Sequence, residues 1–304
     1  MFRTVLVPLN GSRFAEAALP HATRLARGAR AKLHLVLAHQ PVAALVGMGE
    51  AVIPPSGLDE ELRAQEESYL AEQAAKLGGG RRGKVEFNEV EGPAGPAICD
   101  EATRLNADLL VMATHGRGAV GRLWLGSVAD YVVRHISAPV LLIHPSKDEG
   151  QSAEVQGILV ALDLSPQSEA ILEPVVSFAQ LTGAHVTLVH VVERAFEMGK
   201  FTVPTPIPLS PAFAEASRVE AQRKLDRVAD RLRERGLSVS TRVVIRLDVA
   251  ESLVDALEEP KFGLVAMTTH GSGGMRRLLM GSVATKVLRK AAKPLLLLRP
   301  PPAF

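Results

Sequence analysis

Two stretches of this chain hold glycine, serine and histidine at a spacing suited to gripping an anion. Residues 112–129 read MATHGRGAVGRLWLGSVA and residues 267–284 read MTTHGSGGMRRLLMGSVA. Their shared core is His-Gly-x-Gly-x7-Gly-Ser: His115, Gly116, Gly118, Gly126 and Ser127, then His270, Gly271, Gly273, Gly281 and Ser282. Glycines without a Cβ let backbone N–H groups approach an anion closely. Gly-Ser then opens a helix, where unpaired N–H groups and the helix dipole favour phosphate. The serine hydroxyl adds one more donor.

Other chemistries fit these residues less well. Gly116-x-Gly118-x-x-Gly121 satisfies the dinucleotide fingerprint, but it follows the fourth strand pattern and the counterpart of Gly121 is Arg276, so an NAD site is rejected. No GxxxxGK[ST] is present, which removes the P-loop lysine and its Mg2+-binding hydroxyl. No second His, Cys or carboxylate stands at ligand spacing beside His115 or His270, so no metal site is expected there. Asp108 aligns with Gly263, which excludes a duplicated catalytic role. Cys99, the only cysteine, sits in a helical pattern and reads as a buried inert thiol. His34, His39, His185 and His190 lie in or beside the second strand of each half and read as structural.

The elements that must position the two turns are themselves repeated. FRTVLVPLNGS (2–12) pairs with VQGILVALDLS (155–165), AKLHLVLAHQP (31–41) with AHVTLVHVVER (184–194), and SAPVLLIHP (137–145) with AKPLLLLRP (292–300). Each contains a short apolar run that reads as a buried parallel strand. KVEFNEVEG and SVSTRVVIR supply third strands; ADLLVMAT and FGLVAMTT supply fourth strands. Helical patterns fill the gaps, giving β1-α1-β2-α2-β3-α3-β4-α4-β5 twice. Such alternation predicts an α/β fold with a parallel sheet, helices on both faces and right-handed crossovers. Ligands then bind beyond the carboxyl ends of the strands, at the switch point between crossovers. Pro20 and Pro174 fall inside the first helix pattern of each half and predict a kink or an irregular turn. The expected domains are 1–146 and 154–302, joined by a linker at 147–153.

The repeated turn resembles the nucleotide-binding turn of universal stress proteins, G-x2-G-x9-G-[ST] in that family. The resemblance covers essentially the whole chain, twice, and identifies it as a tandem member. It implies two Rossmann-like domains of the adenine nucleotide alpha hydrolase-like kind, each a five-stranded sheet in the order 3-2-1-4-5. The implied ligand is ATP, ADP or AMP, with any Mg2+ carried by the nucleotide. In the first half the implied contacts are Pro8, Leu9, Asn10, Ala38, Met112, Ala113, His115, Gly116, Arg117, Gly118, Gly126, Ser127 and Val128. In the second half they are Ala161, Leu162, Asp163, Val191, Met267, Thr268, His270, Gly271, Ser272, Gly273, Gly281, Ser282 and Val283. Adenine would meet main-chain groups near Ala38 and Val191, and the ribose diol would meet Asn10 or Asp163. Arg117, Arg122, Arg276 and Arg277 could add charge near the phosphates or simply face solvent.

The halves are not equivalent. The family's first glycine falls at Ala113 and Thr268, and the ribose-binding aspartate is Asp163 in one half but Asn10 in the other. A carboxylate accepts both hydroxyls of a diol, whereas an Asn oxygen accepts while its NH2 donates. Ser127 also begins Ser-Val-Ala-Asp130, the spacing of a capping box, so it reads as a helix cap too. Ser282 precedes Thr285 at that spacing and has no such partner.

With 47% hydrophobic residues and a net charge of +2, each half can bury its own core, and the charge gives no nucleic-acid signal. The run at 218–235 reads as a solvated helix face. A lone cysteine, an N-terminal apolar run too short for a secretory signal and no membrane-length apolar stretch suggest a cytoplasmic protein. The leading expectation is a stress-response sensor or regulator that binds nucleotide, with no enzymatic role beyond slow ATP hydrolysis. The alternative is a nucleotide-independent interaction module; a true ATP-using enzyme would need catalytic carboxylates that the sequence does not display. The closing strands at 139–144 and 294–299 are expected to pair as an internal pseudo-dimer. Further homodimerisation and an unidentified protein partner are compatible with the resemblance.

Overall fold

Leucine- and valine-rich runs without polar alternation need cover on both faces, and the helices between them supply it. The computed structural model describes residues 1–41, 57–78, 85–114, 125–144, 155–193, 196–198, 206–208, 211–246, 248–270, 280–291 and 293–300. The chain divides into two units, Met1–Ala153 with Leu296–Arg299, and Glu154–Leu295 with Pro300–Phe304.

In chain order the first unit contains β1 (Thr4–Leu9), α1 (Arg13–Glu16), α2 (Leu19–Ala29), β2 (Lys32–His39), α3 (Leu58–Leu77), β3 (Val85–Glu91), α4 (Ala94–Arg104), β4 (Leu109–Ala113), α5 (Ser127–His135) and β5 (Val140–Ile143). These strands are parallel in the order β3-β2-β1-β4-β5. Val5, Leu6, Val7, Leu35, Val36, Leu109 and Leu110 have no solvent exposure. Burying each such side chain stabilises the fold by roughly 1.5–3 kcal/mol.

The second unit repeats the scheme with β6 (Gly157–Ala161), α6 (Pro166–Glu169), α7 (Leu172–Thr182), β7 (His185–Glu193), β8 (Phe196–Met198), β9 (Pro206–Pro208), α8 (Pro211–Glu234), β10 (Val239–Arg246), α9 (Val249–Leu257), β11 (Leu264–Thr268) and α10 (Ser282–Lys290). The parallel order β10-β7-β6-β11 places third, second, first and fourth strands side by side. β8 and β9 pair antiparallel within the Pro-rich excursion after β7. Val265 N–H donates to Pro294 O just before β12 (Leu295–Leu298). The crossovers reverse between β6 and β11, so the switch point of this half lies there.

The two prolines act as expected. The first helical pattern of each half is broken into α1 and α2, or α6 and α7, with Pro20 and Pro174 in the first turn of the second piece. There a missing N–H costs no helical bond.

Asp108 has a structural job. Its Oδ2 accepts from the N–H groups of Arg3 and Thr4 at 2.8 and 2.9 Å, tying the start of β1 to that of β4. In the second half Gly263 stands in its place, and its N–H donates to Gly157 O at 2.9 Å. A Cβ on Gly157 would meet Lys261 O at 2.5 Å, so the close approach requires glycine. The Lys293 ammonium donates to the carbonyls of Glu259 and Phe262 at 2.9 and 2.6 Å, closing the turn after α9.

Cys99 is half-buried rather than buried, and desolvation pushes its thiol up to about 11, which keeps it protonated and unreactive. The 218–235 helix face carries pairs such as Arg218–Glu215, Lys224–Glu220 and Arg233–Asp230, in keeping with a solvated surface. Among the described residues no helix is long and apolar enough to cross a membrane.

Candidate functional site

Each first strand ends in the same hydrogen-bonded corner. In the second half Asp163 Oδ1 accepts from Ser165 N at 3.0 Å and Ser165 Oγ at 2.5 Å, while Ser165 Oγ accepts from Ser168 N at 3.1 Å and caps α6. In the first half Asn10 Oδ1 accepts from Ser12 N at 3.1 Å and Ser12 Oγ at 2.6 Å, while Ser12 Oγ accepts from Ala15 N at 3.2 Å. One side-chain oxygen suffices for the corner, so Asn and Asp serve it equally. The corner also needs a left-handed residue: Gly11 at φ 71° and Leu164 at φ 63°. Leucine carries a Cβ penalty there of roughly 1–2 kcal/mol, held in place by the surrounding bonds.

The fourth strand meets its helix through one main-chain bond in each half. Gly126 N–H donates to Thr114 O, and Gly281 N–H to Thr269 O, both at 2.8 Å. The helix caps are the glycines themselves, at φ −60°, ψ 150° and φ −58°, ψ 151°. The capping box expected at Ser127 is therefore not formed: Ser127 is the first helical residue, and Asp130 instead pairs with Arg134 at 2.8 Å. Glycine at the cap places the serine one position further into the helix. Thr285 N–H makes an early intrahelical bond to Gly281 O, so the N–H groups of Ser282, Val283 and Ala284 precede it and point out of the helix start.

In the second half these pieces enclose a cavity of about 460 Å3. Ala161, Leu162 and Asp163 come from the end of β6 and Val191 from β7; Met267, Thr268 and His270 come from β11 and its exit, and Gly281, Ser282 and Val283 from the start of α10. All ten described second-half residues named from sequence meet here. The volume lies in the range of small-molecule sites, roughly 300–1,000 Å3.

The Thr268 hydroxyl donates to His270 O at 2.7 Å, so it fastens the corner where β11 leaves the sheet. His270 Nδ1 lies 3.0 Å from the Thr269 hydroxyl. His190 Nδ1 bonds Leu162 O at 2.8 Å and links β7 to the β6 exit.

Sequence reasoning missed several lining residues: Ser168, Val189, His190, Val249, Leu253, Thr269 and Ala284. Val249 and Leu253 form an i,i+4 apolar pair on α9 that reads as ordinary core from sequence. His185, by contrast, bonds the hydroxyls of Ser238 and Ser240 at 2.8 and 2.9 Å on an exposed stretch between β7 and β10.

In the first half Pro8 and Leu9 end β1, with Asn10 just beyond; Ala38 is near the end of β2, Met112 and Ala113 end β4, and Gly126, Ser127 and Val128 open α5. His115, Gly116, Arg117, Gly118 and Arg122, with Gly271, Ser272, Gly273, Arg276 and Arg277, lie outside the described residues, as does the 147–153 linker.

The sequence model of the universal stress protein family matches residues 1–144 and again 154–299. The chain belongs to the universal stress protein family. It is 27% identical over 306 residues to a universal stress protein of Mycolicibacterium smegmatis, covering 97% of both chains. A universal stress protein of Thermus aquaticus is 34% identical over 146 residues, which is 47% of this chain and 99% of that one. A full universal stress protein therefore aligns with about half of this chain, as a tandem arrangement requires. In structure, the chain resembles a universal stress protein from Archaeoglobus fulgidus with a TM-score of 0.68 at 17% identity, covering 98% of this chain and 96% of that one. That likeness concerns the fold.

Proposed function

We propose that this universal stress protein binds an adenine nucleotide, ATP, ADP or AMP, at the glycine–serine turn of one or both halves, the second-half cavity among them. The observation that carries the reading is the cavity itself: residues from β6, β7, β11 and α10, far apart in sequence, line one space of about 460 Å3. Phosphates would meet the leading N–H groups of α10 and the Ser282 hydroxyl. Asp163 would face the ribose diol, and adenine would meet main chain near Val191. Any Mg2+ would arrive with the nucleotide.

The proposed role is nucleotide-state sensing in a cytoplasmic stress response, with at most slow hydrolysis, in a chain able to assemble further as a homodimer and to signal to a protein partner.

The test is nucleotide content of the purified chain by denaturation and chromatography, followed by calorimetric titration with ATP and AMP. Bound or titratable nucleotide, weakened by Asp163→Ala, is the expected result. No bound nucleotide and no heat near cellular ATP concentrations would overturn the reading. It would favour the nucleotide-independent interaction module, the alternative to which Thr268, standing where the family pattern has glycine, points.

A further inference from the structure

We propose that His39, Glu66 and Glu89 of the first unit form a binding site for a divalent cation of the zinc class. The three side chains come from different elements: His39 closes β2, Glu66 lies in the middle of α3 and Glu89 lies on β3. One ligand atom from each can be chosen so that all lie within 4.8 Å of one another. The imidazole is buried at 1% exposure, while Glu66 and Glu89 are partly exposed, so the histidine anchors the set from the interior and the acids leave a path to solvent.

The surroundings of the imidazole match the way metal-binding histidines are held. Nδ1 faces Glu66 Oε2 at 2.7 Å, and Nε2 faces Asp59 Oδ1 at 3.2 Å. A ligating histidine uses one ring nitrogen for the metal and gives the other N–H to a carboxylate, which fixes its tautomer and orientation. Here Asp59 fills that orienting place and Glu66 marks the metal side. Arg63 holds the acids from the outer side, with Nη1 on Glu89 Oε1 at 2.9 Å, Nη2 on Glu91 Oε2 at 2.5 Å and Nε on Asp59 Oδ2 at 3.2 Å.

Charge and ligand type then select the occupant. Asp59, Glu66, Glu89 and Glu91 bring four carboxylates against the single guanidinium of Arg63 and the imidazole, so the cluster carries excess negative charge even with His39 protonated. One nitrogen and two carboxylate oxygens suit Zn2+, whereas Mg2+ and Ca2+ favour oxygen alone. Tetrahedral ligands at about 2.0–2.1 Å from zinc stand roughly 3.3 Å apart, so the set closes by side-chain rotation of the two glutamates, with water in the fourth position. The cation replaces the proton between His39 Nδ1 and Glu66, and that proton leaves to solvent. The site is confined to the first half, because Val192 occupies the position of His39 in the second.

The experiment titrates the full chain with Zn2+ against a competing chromophoric chelator, with Mg2+ in excess, beside Glu66→Gln and Glu89→Gln. These near-isosteric variants are checked for folding by thermal melting. The expected result is about one tight Zn2+ per chain with release of about one proton, and affinity lowered by more than about 100-fold in each variant. Asp59→Asn weakens binding by about 10–100-fold. Absence of Zn2+ uptake, or uptake unchanged in folded Glu66→Gln and Glu89→Gln, would overturn the assignment. Neither outcome depends on nucleotide binding.

Discussion

Gly281 N–H donates to Thr269 O at 2.8 Å, and a Cβ built on Gly281 would stand 3.0 Å from that same oxygen. The glycine that opens α10 is thus favoured by a close main-chain approach, not by an unusual φ. Gly281→Ala is expected to push the helix start away from β11 at a cost of about 1–3 kcal/mol. Urea unfolding checks the stability, and titration with ATP checks the second-half site, where binding should weaken. Unchanged values in both would show that the helix start yields without consequence.

Asp163 and Asn10 hold equivalent corners through one oxygen each, which separates folding from recognition. Asp163→Asn should leave stability within about 0.5 kcal/mol of wild type, since Asn accepts the same two bonds. Asp163→Ala should cost about 1–2 kcal/mol through loss of those bonds to Ser165. Both should weaken nucleotide binding in calorimetry. A stable Asp163→Asn variant with unaltered affinity would remove the ribose role.

Gly157→Ala drives a Cβ to 2.5 Å from Lys261 O, a main-chain atom that cannot rotate aside. The expected loss is about 3 kcal/mol, at the upper end for overpacking, and it should fall on the second unit. Proteolysis followed by mass analysis should find its earliest cuts there. Wild-type resistance would mean that β6 shifts freely against the turn before β11.

Glu101 is 4% exposed and receives Arg104 Nε and Nη2 on its two oxygens, both at 2.7 Å. Those bonds hold its carboxyl below the usual value of 4.5, against the opposing effect of burial. A folded-state pKa lowered in this way contributes stability that is present above 4.5 and lost as pH falls through the folded value. Glu101→Gln should therefore be less stable than wild type by about 1 kcal/mol at pH 7. The gap should shrink as pH falls below 4.5 in urea titrations. A gap that stays constant down to pH 3 would assign the loss to packing instead.

Much of the architecture was legible because its causes are local. Apolar runs of strand length, helical periodicity and the prolines at 20 and 174 each act within a few residues, and their duplication gives every assignment a second witness. The glycine–serine turn was legible for the same reason, since its residue types are dictated by backbone chemistry. Only the capping role of Ser127 was misread, because a capping box and a glycine cap followed by serine look alike in sequence. Only the chain path shows which residue takes the cap.

Local pattern thus sufficed for the duplicated α/β plan, and the family resemblance carried by the repeated turn for ten residues of one cavity. Convergence across the sheet did not follow from it. His39, Glu66 and Glu89 belong to a strand, a helix and a second strand, and nothing in their spacing announces that they meet. Val249 and Leu253 became cavity wall only once α9 packed against α10, β7 and β10. Hydrophobic period and turn chemistry are short-range properties of a chain, whereas the meeting of side chains depends on how helices return over the sheet, and that is decided by packing.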